Sequence, residues 1–238
     1  MTNFDPQSIY QSAEYQQELA AQRTFMSRVY GWMTIGLLIT ALTSLFVASD
    51  PALVKSIFQT GLFWVLIIAE FGIVLLLSAA LRKLPVAVAA GLFLLYSALT
   101  GATLSIILLI YTASSVGATF VVTAGMFGTM SVYGYVTKKN LDGLGHFLIM
   151  GLFGIIIAMV VNIFLRSDAM GWIISFIGVI VFTGLTAYDT QKIKQMYAVN
   201  AAGTAMYQKT ALYGAFALYL DFINLFLFLL RFMGNRRN

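Results

Sequence analysis

Cysteine is missing altogether from the chain. Its absence excludes a disulfide framework, a thiolate metal site and a cysteine nucleophile. Charge is nearly as scarce. Only 10% of the 238 residues are charged against 60% hydrophobic, and the mean hydropathy is +0.88. A soluble domain of this length needs far more polar surface to cover its core, so the natural solvent of this chain is a bilayer. Histidine occurs once. That residue, His146, stands at the interfacial start of an apolar segment without a second ligand nearby, so it reads as an interfacial polar residue rather than a metal ligand. No His–Glu metal motif occurs, and no serine has a histidine close in sequence. The reading is therefore non-enzymatic, although paired intramembrane aspartates superficially resemble an aspartyl protease and keep that class in view.

The formal charge of +5 and pI of about 9.4 would suggest a nucleic-acid partner in a soluble chain. Here the basic residues cluster at the ends of apolar segments, which is the pattern of membrane topology, so no nucleic acid is expected. Residues 1–24 are polar and Gln-rich, with Asp5, Glu14 and Glu18. They are expected to form a flexible cytosolic tail that buries too little apolar surface to fold alone, or a docking handle for a membrane-protein partner. The first apolar run is too long for a signal-peptide core, so no cleaved signal is expected.

Residues 25–238 are expected to form a single all-α domain, a polytopic bundle of seven transmembrane helices. A spanning helix needs about 20 mostly apolar residues. Segments 29–48, 62–81, 85–110, 116–136, 147–165, 171–188 and 212–232 qualify. Between them lie helix-breaking or charged stretches: "SDPALVK", "RKLP", "YTASS", "KKNLDGLG", "RSDAM" and "QKIKQMYAVNAAGTAMYQK". Short connections make sequential helices antiparallel neighbours. Ser97, Gly101 and Ser105 repeat every fourth residue, a small face that lets two helix backbones approach closely.

Orientation follows from the basic residues. One side of the membrane receives Arg23, Arg28, Arg82, Lys83, Lys138, Lys139, Lys192, Lys194 and Lys209. The other receives only Lys55 and Arg166. The asymmetry places the N-terminus in the cytosol. Arg236 and Arg237 pull the other way, toward six spans and a re-entrant last segment, but 212–232 is long enough to cross.

Few ionisable residues fall inside the apolar segments. Glu70 and Asp221 lie mid-segment, Asp189 and Arg82 near cytosolic ends, and Arg231 near the far end of the last segment. A charge at the bilayer centre costs ~2.5–3.5 kcal/mol on the insertion scale, so each needs a partner or water. Glu70 and Arg82 are about 18 Å apart along their helix, and Asp221 and Arg231 about 15 Å, at ~1.5 Å rise per residue. With the second and seventh helices antiparallel, two polar tiers emerge: Glu70 with Arg231, and Arg82 with Asp221 and Asp189. The outer pair serves as a helix staple or as part of a gate.

The stretches "GVIVFTGLTAYDTQKIK", "YLDFINLFLFLLR" and "LLYSALTGATLS" resemble the signature stretches of the Bax-inhibitor (transmembrane Bax inhibitor motif) family, and the likeness extends from about Arg23 onward. Within that family the chain looks most like bacterial plasma-membrane members. The resemblance implies six helices wrapped around the seventh. It also implies a calcium leak governed by pH through two aspartates, Asp189 and Asp221, with Arg82 latching the closed state. Glu70 and Arg231 occupy the places of a second ion pair. No resident cofactor is implied, since Ca²⁺ is the transported ion.

Two carboxylates close together in low dielectric cannot both ionise cheaply, and they titrate as a coupled unit. A shared proton would keep the pair joined at lower pH, and its loss would drive the two apart. Carboxylate oxygens suit Ca²⁺, which takes 6–8 hard ligands at ~2.3–2.6 Å. Asp189 and Asp221 alone cannot fill that shell, so transient contacts with help from backbone carbonyls, water, Asn162 or Asn224 are expected. The competing reading is a non-conducting protein that modulates membrane partners.

Overall fold

A computed structural model describes residues 6–80, 83–199 and 204–237. Eight helices occur among them: α1 (Pro6–Ser49), α2 (Pro51–Gln59), α3 (Leu62–Ala80), α4 (Val86–Ile110), α5 (Ala113–Val136), α6 (Asp142–Leu165), α7 (Asp168–Val199) and α8 (Ala205–Met233). A helix satisfies its own backbone hydrogen bonds, as a chain surrounded by hydrocarbon must. All but α2 are long and apolar enough to cross a membrane.

Three boundaries differ from the sequence reading, two because helix propagates beyond its apolar core and one because a new helix starts within a loop. The polar leader, expected as a flexible extension, is helical from Pro6 and runs without a break into the first span. Once the span has nucleated the helix, Gln, Glu and Ala extend it at little cost. The stretch "SDPALVK" contains a helix start as well as a break. Asp50 accepts a 2.8 Å hydrogen bond from the Ala52 amide, and Pro51 occupies the first helical position, so α2 begins there. Most of "QKIKQMYAVNAAGTAMYQK", expected as a loop, belongs to α7 and α8.

The last helix is the hub. More than half of its apolar window, 56%, is buried, against 11% for α3 and for α6. Leu218, Tyr219 and Leu225 are fully enclosed. Helices α1, α4, α5 and α7 pack directly on α8, while α3 leans on α4 and α6 on α7. The outward faces carry Ile68, Val121, Ile163 and Phe164, side chains whose natural environment is lipid. The small face of α4 meets α1 as its spacing predicts. A Cβ on Gly101 would lie 2.6 Å from the Thr40 carbonyl oxygen, and the Ser44 hydroxyl donates to the Gly101 carbonyl at 2.8 Å. Aromatic edges fill the α4–α8 seam, with Phe93 and Tyr96 each T-shaped to Phe216 and Tyr219.

The chain's end settles the number of crossings. Beyond α8, the Thr112 amide donates to the Asn235 carbonyl at 3.1 Å and the Arg237 amide to the Ile110 carbonyl at 2.8 Å. Asn235 also donates from its backbone to Ser115 Oγ at 2.9 Å. The C-terminal residues are thus strapped to the α4–α5 turn. That turn lies across the bundle from the start of α1, so α8 runs the full depth of the bundle rather than turning back.

Candidate functional site: an aspartate pair between two helices

Helices α7 and α8 run antiparallel along the largest helix–helix interface of the bundle. Their register is held at two points flanking the aspartates. Phe182 and Phe228 stack with ring centroids 5.7 Å apart, and Ile193 fills the space beside Gly214. Between these contacts Asp189 and Asp221 face each other within hydrogen-bonding range. Asp189 is therefore not at a helix end, as the apolar run suggested; α7 continues to Val199. Asp221 is only 4% exposed, and Asp189 is partly buried.

No N–H or O–H group reaches Asp221 Oδ2 among the described residues. The group beside Asp221 is another carboxyl, which donates only when it carries a proton. A buried polar atom without a partner is costly, and one proton held between the two acids removes that cost. Two carboxyls so placed can share one proton, and they repel when both are ionised.

The rest of the "AYDTQKIK" stretch holds this face of α7 in place. With about 3.6 residues per turn, Thr190, Gln191 and Lys194 turn away from α8 toward α5 and its exit. Thr190 donates to Ser131 Oγ at 3.4 Å. The Gln191 side chain donates to the Lys139 carbonyl at 2.8 Å and accepts from the Leu141 amide at 2.9 Å. Lys194 donates to the Tyr135 carbonyl at 2.9 Å, with its ammonium 4.8 Å from the Tyr135 ring centre. Just before Asp189, Gly134 of α5 presses on the Ala187 backbone so closely that no side chain fits between them. Asp189 thus projects from a helix clamped on its opposite side.

Lys192, one turn after Asp189, is the cation that acts electrostatically on it among the described residues. Its ammonium lies 5.3 Å from the Tyr188 ring centre. Sequence reasoning treated Lys192 and Lys194 only as markers of the cytosolic side. The i, i+3 spacing from Asp189 to Lys192 was the available signal for the first; nothing in the sequence marked Gln191 as a clamp. Arg82, the expected latch, lies outside the described residues.

The expected pair of Glu70 with Arg231 does not form. Helix α4 stands between α3 and α8, so matching depth does not bring the two side chains together. Glu70 instead lies 3.0 Å from the Thr103 hydroxyl. Arg231 is exposed, with its guanidinium against Gly171 at the start of α7. Asn162 is likewise engaged elsewhere, accepting from the Ser167 amide at 3.1 Å in the α6–α7 turn. Asn224, one turn beyond Asp221, donates its amide to the Leu220 carbonyl at 2.8 Å and keeps a side-chain oxygen to offer. His146 bonds the Asp142 carbonyl of its own helix at 2.7 Å.

Comparison with known proteins places the same residues in a family context. The family described as "Inhibitor of apoptosis-promoting Bax1" matches residues 22–238. The inner membrane protein YbhL of Escherichia coli K12 is 52% identical over 223 residues, covering 93% of this chain and 95% of that protein. An uncharacterized protein of Borreliella burgdorferi is 48% identical over 93% of this chain and 96% of its own length. The uncharacterized protein RP147 of Rickettsia prowazekii is 44% identical over 91% of each chain. The match takes in every span and both aspartates and leaves out only the polar leader, and the chain belongs to the Bax inhibitor family of multi-pass membrane proteins.

Proposed function

We propose that the protein is a pH-sensitive calcium leak channel or transporter of a bacterial inner membrane, with its N-terminus in the cytosol and the Asp189–Asp221 pair as its gate. The observation that carries this reading is the facing of the buried Asp221 carboxyl and the partly buried Asp189 carboxyl, with no hydrogen-bond donor at Asp221 Oδ2 among the described residues. Intramembrane carboxyls are expensive and mark ion or proton pathways. With one proton between them, the two acids hold α7 against α8. Rising pH removes the proton, the two charges repel, and the interface loosens at that level. The oxygens then released suit a hard divalent cation. Among the described residues no group of three or more acidic, His or Cys side chains converges. The carboxylates therefore serve transient contact during passage, with the Asn224 side-chain oxygen, carbonyls and water completing the shell. Lys192 opposes accumulation of cations beside Asp189, so it sets how readily the opened site fills.

Calcium flux into proteoliposomes across a pH series tests the reading. The native protein should leak more as pH rises. Asp189→Asn and Asp221→Asn should each flatten that response, because an amide donates to the remaining carboxylate without needing a proton. Unchanged flux and pH response in both variants would sink the gate. Absence of flux from the native chain at every pH would favour a non-conducting protein that modulates membrane partners.

A further inference from the structure

Glu70 is the one intramembrane acid that the aspartate gate does not use. It lies midway along α3, with its carboxyl toward α4. Thr103 Oγ1 is 3.0 Å from Glu70 Oε1 and also 3.0 Å from the Thr100 carbonyl oxygen. A hydroxyl has a single proton and cannot donate to both. Buried hydroxyls in this bundle donate to carbonyls of their own helix, as Ser97 does to Phe93, Ser105 to Ala102 and Thr123 to Thr119. If Thr103 does the same, the proton between it and Glu70 belongs to the carboxyl.

The surroundings agree. The titratable groups that face Glu70 are Tyr96 of α4 and Tyr219 of α8, and no ion pair reaches it among the described residues. Thr100, 4% exposed, turns its hydroxyl toward Glu70, Tyr96 and Tyr219. On the far side, Tyr219 Oη lies 2.6 Å from Thr40 Oγ1. Thr40 has carbonyls to donate to at Ser97, 2.9 Å away, and Gly36, 3.0 Å away. Tyr219 therefore donates outward to Thr40, and its oxygen remains an acceptor on the inner side. A polar ladder of one acid and several hydroxyls thus crosses from the lipid-facing α3 to α1, with no basic side chain among the described residues to neutralise an ionised Glu70.

We propose that Glu70, Thr103 and Thr100 form a proton-binding site in the membrane interior, separate from the aspartate pair, in which the carboxyl carries the proton and the threonine oxygens receive it. The site goes beyond the calcium reading and does not depend on it.

Labelling of the full-length protein in proteoliposomes with dicyclohexylcarbodiimide tests the site. The acid proton passes to a carbodiimide nitrogen while the carboxyl oxygen bonds to the central carbon. The adduct then rearranges to a stable N-acylurea with no group leaving. Peptide mass spectrometry should find the adduct on Glu70, increasing as pH falls and indifferent to added Na⁺, with Glu70→Gln as the blank. Thr103→Val preserves volume but removes the acceptor, so labelling at fixed pH should fall about fivefold, the worth of one hydrogen bond. A rise in that variant would mean that Thr103 donates to an ionised Glu70 and would overturn the proposal. So would lack of an adduct, labelling independent of pH, or suppression by Na⁺, the last of which would mark a metal-cation site instead.

Discussion

Single residues decide how this bundle tolerates charge. Asp221 is nearly sealed from solvent, and Asp189 is the titratable group that acts on it among the described residues. Removing one member of such a pair leaves the other's polar atoms unmatched, so Asp221→Ala should destabilise the protein by about 1–3 kcal/mol. Asp221→Asn should cost far less, because the amide reproduces the donor that the shared proton supplies. The two variants also differ in pH dependence. In the native protein the stabilisation is present while the pair holds its proton and is lost as pH rises and the proton leaves. Melting temperatures of detergent-purified protein should therefore fall with rising pH for the native chain and stay nearly level for Asp221→Asn. Equal slopes would mean that the carboxyls titrate independently. That each acid needs a partner was legible in the sequence, because a carboxyl inside an apolar helix is costly alone; that the partner is another acid came from the family resemblance, since depth did not settle it. Which cation stands beside them was not legible, since helical depth reports height in the membrane and nothing about which helices touch. The same gap explains Glu70 and Arg231: their heights matched, but α4 separates their helices.

At the scale of elements, the fold relies on a few places where two backbones nearly touch. Gly134 against Ala187 is the tightest of those around the aspartates. A Cβ there collides with main chain that cannot rotate away, so α5 must shift off α7 and the Thr190, Gln191 and Lys194 contacts go with it. Gly134→Ala should cost about 1–3 kcal/mol, the usual range for overpacking. Gly128, on the same helix two turns earlier, has open space where a Cβ would sit. Gly128→Ala should be neutral or stabilising by up to about 1 kcal/mol from helix propensity. Denaturation of the two variants side by side separates contact from propensity, and equal effects would refute the close-approach account. Helix existence was readable from apolar length, and so was a close contact of α4, because Ser97, Gly101 and Ser105 announce it at every fourth position; that α1 is the partner was not. The extents of α1, α7 and α8 were not. Their polar ends have no hydrophobic signal, yet helix continues through them by propagation from an already formed span.

For the whole molecule, the strap between residues 235–237 and the α4–α5 turn puts that segment on the face opposite the start of α1. The native lack of cysteine makes this easy to check. Single cysteines at Glu14 and Asn235 should react with a membrane-impermeant thiol reagent from opposite sides of sealed vesicles, and labelling from the same side would require an even number of crossings. Backbone hydrogen bonds hold the short tail that carries Arg236 and Arg237 against the α4–α5 turn, a contact that loop charge does not report. The hub position of α8 has a further consequence, for the order of manufacture. The chain is synthesised from its N-terminus, so the helix that fills the centre is the last of the eight to be made. Until then α1 to α7 occupy the membrane as an unfilled cup, with Phe93, Thr40 and Asp189 turned toward a place that lipid must hold. Assembly of the finished protein is therefore an insertion event, and the two aspartates first meet when the final helix arrives.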